Sequence, residues 1–491
     1  MPDSPAALLR FKLATIDSEM ASLHRQLTEL ARNRETVALE LSRLAYPVLQ
    51  LPNEITAEIF LKYAEDANLP RLFVLAAVCR SWRTISLSLQ SFWTRLALDI
   101  TAGDQQQSNL AKIQLPLALA RAGAHSLLEI DLSVDNALEE LLTLIAPTAA
   151  RWPALNLSVG PPKLVHTILS WHFPKLQRLE LMPSSKPIYS WSTTTPTHQP
   201  LANCPLLRSV ILFDVDPNVL RLPWCQITHV ELNASLGMTS CEYITVLAQT
   251  INLEVLDVYI DEGPEDFMEV KLPQLHTLTL RWFSATVNGA VDFINTLTAP
   301  ALRNLTTNIT SAGSHIGINA IADLLERSEV VSLDALTLHS HGHELGITAV
   351  EHIVAAAAPL GVLRLTEVDW DALDPLLAML GSGGIYHDSP FLVRELHIQP
   401  VSGAVPYNSL KFYIDKRTAA ARSADSESDV QVIQALQSYG LRKVSFIVPE
   451  RLPMDFGSTD QDREHFDHLA ALTSPEVIVR GSKVIWEMPG A

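Results

Sequence analysis

Residues 253–260 read LEVLDVYI and residues 275–282 read LHTLTLRW, and the two stretches place apolar residues at the same three positions. In each stretch a first apolar residue is followed three positions later by a second, and two positions after that by a third. The second and third alternate with polar residues, as the buried face of a β-strand does. The pattern predicts a strand in each stretch, in which the residue between the last two apolar positions points away from the core.

The same spacing recurs along most of the chain, and most of its first positions lie 20 to 33 residues apart. These first positions are Leu127, Trp152, Leu176, Leu207, Ile227, Leu253, Leu275, Leu302, Leu333, Leu360, Val393 and Leu441. Helical spacing separates the predicted strands, for example at Ile318, Ile321 and Leu325. An alternation of strand and helix predicts an α/β fold with a parallel sheet.

These repeats resemble irregular leucine-rich repeats, whose period is about 20–29 residues. The resemblance implies a curved solenoid with the parallel sheet on its inner face and the helices outside. One feature departs from the family, because the asparagine expected eight positions after the first leucine is absent. A non-repeating α/β domain rich in leucine is the alternative.

The block before the repeats has helical spacing instead. It contains LPNEITAEIF at 51–60 and VCRSWR at 78–83, and Phe92-Trp93 follow. The order and spacing of these elements resemble an F-box, and the long helical segment before them resembles the F-box proteins of mushroom-forming fungi. Gln90 stands where many relatives have proline, and Phe92 where leucine is usual. A small helical bundle of another kind is the alternative.

The F-box resemblance implies a division of labour. The F-box would bind a Skp adaptor, and through it a cullin, while the repeats would bind a protein substrate for ubiquitination. The positions that match the adaptor-binding motif are Leu51, Pro52, Ile55, Ile59, Phe60, Val78, Cys79 and Trp82. Ubiquitin transfer would belong to other subunits, so we expect no catalytic residue, no cofactor and no metal ion in this chain. A repeat-based scaffold that joins no ubiquitin ligase is the alternative function.

The N-terminal segment has the pattern of a long helix. Ser4 and Pro5 suit a helix start, and no glycine or proline follows until Pro47. Its apolar residues recur in alternating steps of four and three, with one polar member, Arg34. Such heptads are typical of a coiled coil. A dimer formed through this helix and a helix packed on its own chain both fit the pattern.

The residues between the last two apolar positions of each repeat should form one polar row on the sheet. In order they are Asp131, Asn156, Glu180, Ile211, Glu231, Asp257, Thr279, Thr306, Thr337, Arg364, His397 and Ser445. The acidic members all lie in the first half, at Asp131, Glu180, Glu231 and Asp257. This distribution favours a substrate with a basic segment, although an acidic protein carries surface carboxylates in any case.

Composition excludes several classes of function. The chain has 54 acidic and 36 basic residues and a net charge of −18, so it repels nucleic acid overall, and no basic patch stands out. It shows no leader pattern and no apolar run long enough for a membrane span. The four cysteines form no CxxC pair, which predicts reduced core thiols and a cytoplasmic or nuclear protein.

Two groups of histidines are weak candidates for metal ligands. His339, His341 and His343 alternate, so on a strand they would share a face, but Gly342 among them favours a loop. His465 and His468 are one helical turn apart and favour a solvated helix face. A metal-dependent enzyme is therefore the least favoured function.

Together these patterns predict four segments. They are a heptad-patterned helix at 5–46, an F-box at 47–100, a leucine-rich-repeat-like solenoid at 101–448 and a C-terminal cap at 449–491. In the last segment, Val477–Val479 and Val484–Trp486 have the composition of strands.

Overall fold

A computed structural model gives the fold of the chain, which divides into two compact units, Met1–Trp93 and Thr94–Ala491. The described residues are 5–43, 51–100, 105–134, 139–159, 162–183, 201, 204–233, 240–260, 268–282, 287–308, 314–340, 347–357, 359–369, 375–380, 393–402, 443–447, 477–480 and 483–487. None of the helices in these ranges is long and apolar enough to cross a membrane.

The first unit is helical. Its elements are α1 (Pro5–Arg43), α2 (Asn53–Glu65), α3 (Leu69–Val78), α4 (Arg80–Ser88) and a 3-10 turn at Gln90–Trp93. The predicted long helix is thus present as α1. Every side chain from residue 8 to residue 40 is exposed. Whether the heptad face pairs with a second copy or packs on its own chain stays open.

The second unit is built on strands. They are β1 (Arg95–Ile100), β2 (Glu129–Val134), β3 (Ala154–Val159), β4 (Arg178–Pro183), β5 (Ser209–Phe213), β6 (His229–Asn233), β7 (Val255–Ile260), β8 (Val270–Lys271), β9 (Thr277–Trp282), β10 (Leu297–Thr298), β11 (Asn304–Asn308), β12 (Leu333–His339), β13 (Leu360–Asp369), β14 (Val393–Ser402), β15 (Lys443–Ile447), β16 (Val477–Arg480) and β17 (Lys483–Glu487). Fifteen of them form one open sheet, in the order β1-β2-β3-β4-β5-β6-β7-β9-β11-β12-β13-β14-β15-β17-β16.

The large sheet is parallel from β1 to β15, and β17 and β16 then add antiparallel strands. Each strand predicted from the repeat pattern is present, as are the two predicted near the C-terminus. The sheet also contains a strand that the sequence analysis did not predict. Leu96 and Leu98 of β1 are buried and follow Trp93 with the repeat spacing, although residues 95–100 had been grouped with the helical block.

Buried and partly exposed residues alternate along the strands, so that one face of the sheet is buried. In β7 and β9, buried residues at every second position include Leu256, Leu278 and Leu280, while the residues between them are partly exposed. Helices among the described residues of this unit include α5 (Gln105–Ala122), α6 (Glu139–Ile145), α7 (Pro162–Leu169), α8 (Ser240–Leu247), α9 (Val287–Thr296), α10 (Ser314–Arg327) and α11 (Ile347–Ala356), and residues 375–380 are also helical. Helices lie between many of the strands, as predicted, but β5 and β6 are joined by 3-10 turns at Pro217–Val219 and Trp224–Gln226 instead. The curvature of a solenoid stays a prediction.

The described cysteines differ in exposure. Cys204 is buried, and burial raises the pKa of its thiol to about 11. Cys79 is half-buried at the start of α4. Cys225 is exposed in a 3-10 turn at Trp224–Gln226, so the expectation that it lies in the core is wrong. An apolar neighbour in sequence does not bury a residue whose own side chain points outward from a turn.

Candidate protein-binding surfaces

Helix α2 carries two apolar stripes with opposite fates. Ile55 and Ile59 are 50% and 49% exposed, and Tyr63 continues the stripe one turn later. The neighbouring stripe of Thr56, Phe60 and Ala64 is buried. Both stripes have a spacing of four residues, which keeps each on one side of a helix. The exposed stripe is available to a partner, and the buried stripe holds the bundle together.

Phe60 is a core residue and not a surface one. It is 1% exposed and meets the ring of Trp82 edge-on, with the ring centroids 5.1 Å apart. A second contact joins Phe60 to Phe92 at 6.1 Å. The role predicted for Phe60 in adaptor binding is therefore corrected to a role in packing, because the interior of the bundle covers the ring.

The VCRSWR segment turns α3 into α4. The Sγ atom of Cys79 accepts a hydrogen bond from the backbone N–H of Trp82 at 3.4 Å and so caps α4. The Nε atom of Arg83 donates to the carbonyl oxygen of Ala76 at 2.8 Å, which ties α4 back to α3. Val78, at the end of α3, stays 57% exposed. This segment thus fixes the corner and presents one apolar side chain beside it.

An aromatic cluster supports these helices from below. Trp93 is fully buried, and its Nε1 atom donates to the carbonyl oxygen of Ser86 at 2.8 Å. Its ring meets Phe73 and Phe92 edge-on, each with a centroid distance of 5.0 Å. Edge-to-face contacts of this kind are a favourable arrangement of aromatic rings. The exposed stripe of α2 therefore stands on a well-packed base.

The predicted adaptor-binding residues thus fall into three groups. Leu51, Pro52, Ile55, Ile59 and Val78 are exposed, Cys79 and Trp82 are half-buried, and Phe60 is buried. Three further exposed apolar residues of the same helices, Tyr63, Val74 and Leu87, lie outside the predicted adaptor-binding set. Tyr63 follows Ile59 by four residues and Val74 precedes Val78 by four, so helical spacing was the signal that could have found these two.

The second candidate surface is the partly exposed face of the large sheet. The strand register aligns all twelve residues of the predicted polar row, each directly beside the next. The pairs are Asp131↔Asn156, Asn156↔Glu180, Glu180↔Ile211, Ile211↔Glu231, Glu231↔Asp257, Asp257↔Thr279, Thr279↔Thr306, Thr306↔Thr337, Thr337↔Arg364, Arg364↔His397 and His397↔Ser445. The row itself is confirmed. Its role in substrate binding stays a prediction.

Two of the acidic residues in the row are held by an arginine. The guanidinium of Arg281 donates to Oδ1 of Asp257 at 2.6 and 3.0 Å and to Oδ1 of Asn233 at 2.9 Å. It also lies 3.6 Å from Oε1 of Glu231. Burial raises the pKa of the Asp257 carboxyl, and the charge of Arg281 opposes that rise. This part of the row is therefore less negative than its carboxylates alone imply.

The first strands surround a hollow of about 240 Å³ on the same face. Its lining residues are Arg95, Glu129, Ile130, Asp131, Ala154, Asn156 and Arg178. The small side chain of Ala154 leaves the space, since Ala154 lies in register between Glu129 and Arg178. Arg178 also pairs with Glu180 at 3.0 Å. Among the four predicted acidic residues, Asp131 alone lines this hollow.

The later strands carry histidines on the same face. Nε2 of His397 lies 3.1 Å from a carboxylate oxygen of Glu395, and Nδ1 of His339 contacts the hydroxyl of Thr366. Within the described ranges, no three histidine, cysteine or acidic side chains are grouped as metal ligands would be. The candidates His341 and His343, and the pair His465 and His468, lie outside the described residues.

Comparison with known proteins identifies the helical block. A family model described as F-box-like matches residues 48–99. No curated protein sequence matches the chain. F-box proteins are typically adaptors rather than enzymes, and an F-box-like domain suggests binding to a Skp-type adaptor of SCF-type ubiquitin ligases. Residues 48–99 therefore form an F-box-like domain, as the F-box resemblance of this block predicts.

Proposed function

We propose that the chain is the substrate-recognition subunit of a Skp–cullin–F-box ubiquitin ligase, acting in the cytoplasm or nucleus. The observation that carries the proposal is the apolar stripe of Ile55 and Ile59, which stays half-exposed within the F-box-like domain. The F-box-like domain binds the Skp adaptor, which links the chain to a cullin. The chain positions the substrate protein, and other subunits carry out the transfer of ubiquitin.

Burial of the exposed apolar side chains of this domain would favour adaptor binding. Fully burying an aliphatic side chain is worth about 1.5–3 kcal/mol relative to leaving it exposed. Leu51, Ile55, Ile59 and Val78 have between a third and somewhat over half of their surface still exposed. Burial against an adaptor therefore gains part of that energy at each position, and the packed aromatic base keeps the loss of conformational freedom small.

The large sheet unit, as a leucine-rich-repeat-like solenoid, binds the protein substrate on its polar face. The proposed basic segment of the substrate lies along the acidic residues of the first strands. The hollow beside them is lined by Asp131 and Glu129 and also by Arg95 and Arg178. Glu231 and Asp257 already interact with Arg281, and Glu180 with Arg178. Of the four predicted acidic residues, Asp131 is the one that lines the hollow.

The adaptor part of the proposal is tested by co-purification. Tagged full-length chain is recovered with its partners, beside the double variant Leu51→Ala with Pro52→Ala. A matched control is Val331→Ala, which shortens an apolar side chain that is 84% exposed and lies outside the F-box-like domain. The double variant should lose at least about tenfold in captured adaptor, and the control none.

Two results would contradict the adaptor role. One is adaptor capture at wild-type strength by the double variant. The other is a wild-type chain that recovers different proteins and no Skp adaptor, which would make it a repeat-based scaffold outside a ubiquitin ligase.

The substrate part is tested with the proteins that co-purify. Changing Asp131, Glu180, Glu231 and Asp257 to their amides should weaken capture of the substrate and flatten its dependence on salt. Adaptor capture is the control for an intact F-box-like domain, and hydrogen exchange of β2 to β7 is the control for the fold of the sheet. Substrate capture that is indifferent to all four changes, with adaptor capture intact, would place recognition elsewhere on the chain.

A further inference from the structure

Helix α1 presents an apolar seam that the described chain leaves uncovered. The seam residues of known exposure, apart from Arg34, each keep between 52% and 66% of their surface exposed. They are Leu9, Leu13, Ile16, Met20, Leu23, Leu27, Leu30 and Val37. The helix has 39 residues, so at 1.5 Å per residue it extends roughly 58 Å. A straight seam of this length fits another helix with the same seam, since both follow a heptad period.

The charges beside the seam are self-complementary. Seam positions alternate between two kinds, and Leu13, Met20, Leu27 and Arg34 occupy the first kind, the a position of the heptad. In a parallel pair of heptad helices, the residue just before each a position faces the residue of the partner helix whose number is five higher. Lys12 then faces Asp17 of a second copy, and Glu19 faces His24. The next facing pairs, Gln26 with Ala31 and Asn33 with Ala38, carry no charge. No like charges face each other across these flanks, and the symmetric pair makes each favourable contact twice.

Arg34 sets the register of such a pair. It is the one polar member of the seam and is exposed in α1. In the parallel register, Arg34 of one copy lies opposite Arg34 of the other, and a single polar residue at such an a position specifies register and oligomer state at a cost in stability. We propose that α1 forms a parallel, two-stranded coiled coil with α1 of a second copy of this chain. The proposal rests on α1 alone and is independent of adaptor and substrate binding.

The first test is the mass of the full-length protein in solution. Light scattering at micromolar concentration should give twice the chain mass of 54.1 kDa. Replacing Leu23 and Leu27 by aspartate should give a monomer, while the exposed control Leu8→Asp, off the seam, should remain a dimer. A monomeric wild-type protein, a larger oligomer, or a dimer that survives the Leu23 and Leu27 changes would overturn the proposal.

The second test is a charge swap that leaves the seam untouched. Lys12→Glu places a carboxylate opposite Asp17 of the partner copy and should weaken dimerisation about tenfold. Adding Asp17→Lys to that variant should restore affinity to within about threefold of wild type. In one antiparallel register, Lys12 would instead face Glu40. Restoration by Glu40→Lys and not by Asp17→Lys would overturn the parallel arrangement.

Discussion

The F-box-like domain and the large sheet use the same apolar residue types for different purposes. On α2, Ile55 and Ile59 keep about half of their surface exposed, whereas Ile260 and Ile398 of the sheet are fully buried. The sheet places its apolar residues on one face and leaves polar residues on the other. The short helix has apolar residues on two adjoining stripes, and only one fits inside the bundle. Exposure within a well-packed element therefore separates residues that are available to a partner from core residues where residue type does not.

The largest expected effect contrasts two consecutive residues of α2. Phe60→Ala removes a buried ring and should lower the free energy of unfolding by about 3–5 kcal/mol. Ile59→Ala removes a half-exposed side chain and should lower it by less than about 1 kcal/mol. Hydrogen exchange of peptides from 53–93 measures both. Equal losses of protection in the two variants would remove the distinction between core and interface stripes.

The second effect contrasts two cysteines of the sheet unit. At pH 8, Cys225 should react with a thiol reagent at least about a hundredfold faster than Cys204. Burial raises the pKa of Cys204 to about 11 and also shields its sulfur, whereas Cys225 is exposed. Peptide mapping of the alkylated protein measures both rates. Denaturant is the control and should abolish the difference, and similar rates in the folded protein would show that Cys204 is not buried.

The smallest effect concerns the charged face of the sheet. Arg281→Gln removes the ion pair with Asp257. The side chain of Arg281 is 40% exposed and that of Asp257 is 29% exposed, so solvent screening limits the loss of stability to about 1 kcal/mol or less. Without Arg281, the pKa of the Asp257 carboxyl rises further above its unfolded value. Stability is then lost as pH rises from the unfolded pKa through the folded one.

The loss in Arg281→Gln should therefore be present at pH 7 and shrink toward acid pH, where Asp257 is protonated in both proteins. Hydrogen exchange of β7 and β9 in the wild type and in Arg281→Gln, at pH 7 and at an acid pH, measures this loss of stability. Arg303→Gln, at an exposed arginine near the same strands, is the matched control and should leave exchange unchanged. A loss that is independent of pH would mean that Arg281 acts through packing and not through its charge.

The sequence was sufficient for much of the fold and for the outline of both surfaces. A period of two fixes the polar row from Asp131 to Ser445, because one face of each strand must be buried. The LPNEI and VCRSWR segments located the F-box-like domain. Helical spacing did not separate Phe60 from Ile59, since a helix packed on one side has neighbouring stripes of similar composition.

Three other features could not be predicted from the sequence, each for a different reason. The first strand was missed because Leu96 and Leu98 directly follow the helical motif in sequence. The pairing of Arg281 with Asp257 depends on which strand lies beside which, and repeat spacing alone does not show that pairing. The exposure of Cys225 depends on a turn that has no repeat pattern.

The affinity of the purified full-length chain for a purified Skp adaptor tests the central claim most directly. Calorimetry should show binding by the wild-type chain, and Ile55→Ala with Ile59→Ala should weaken it at least about tenfold without loss of fold. Val331→Ala should bind as the wild type does. No binding by the folded wild-type chain, or equal affinity in the double variant, would contradict the account that the exposed stripe of α2 is the adaptor-binding surface.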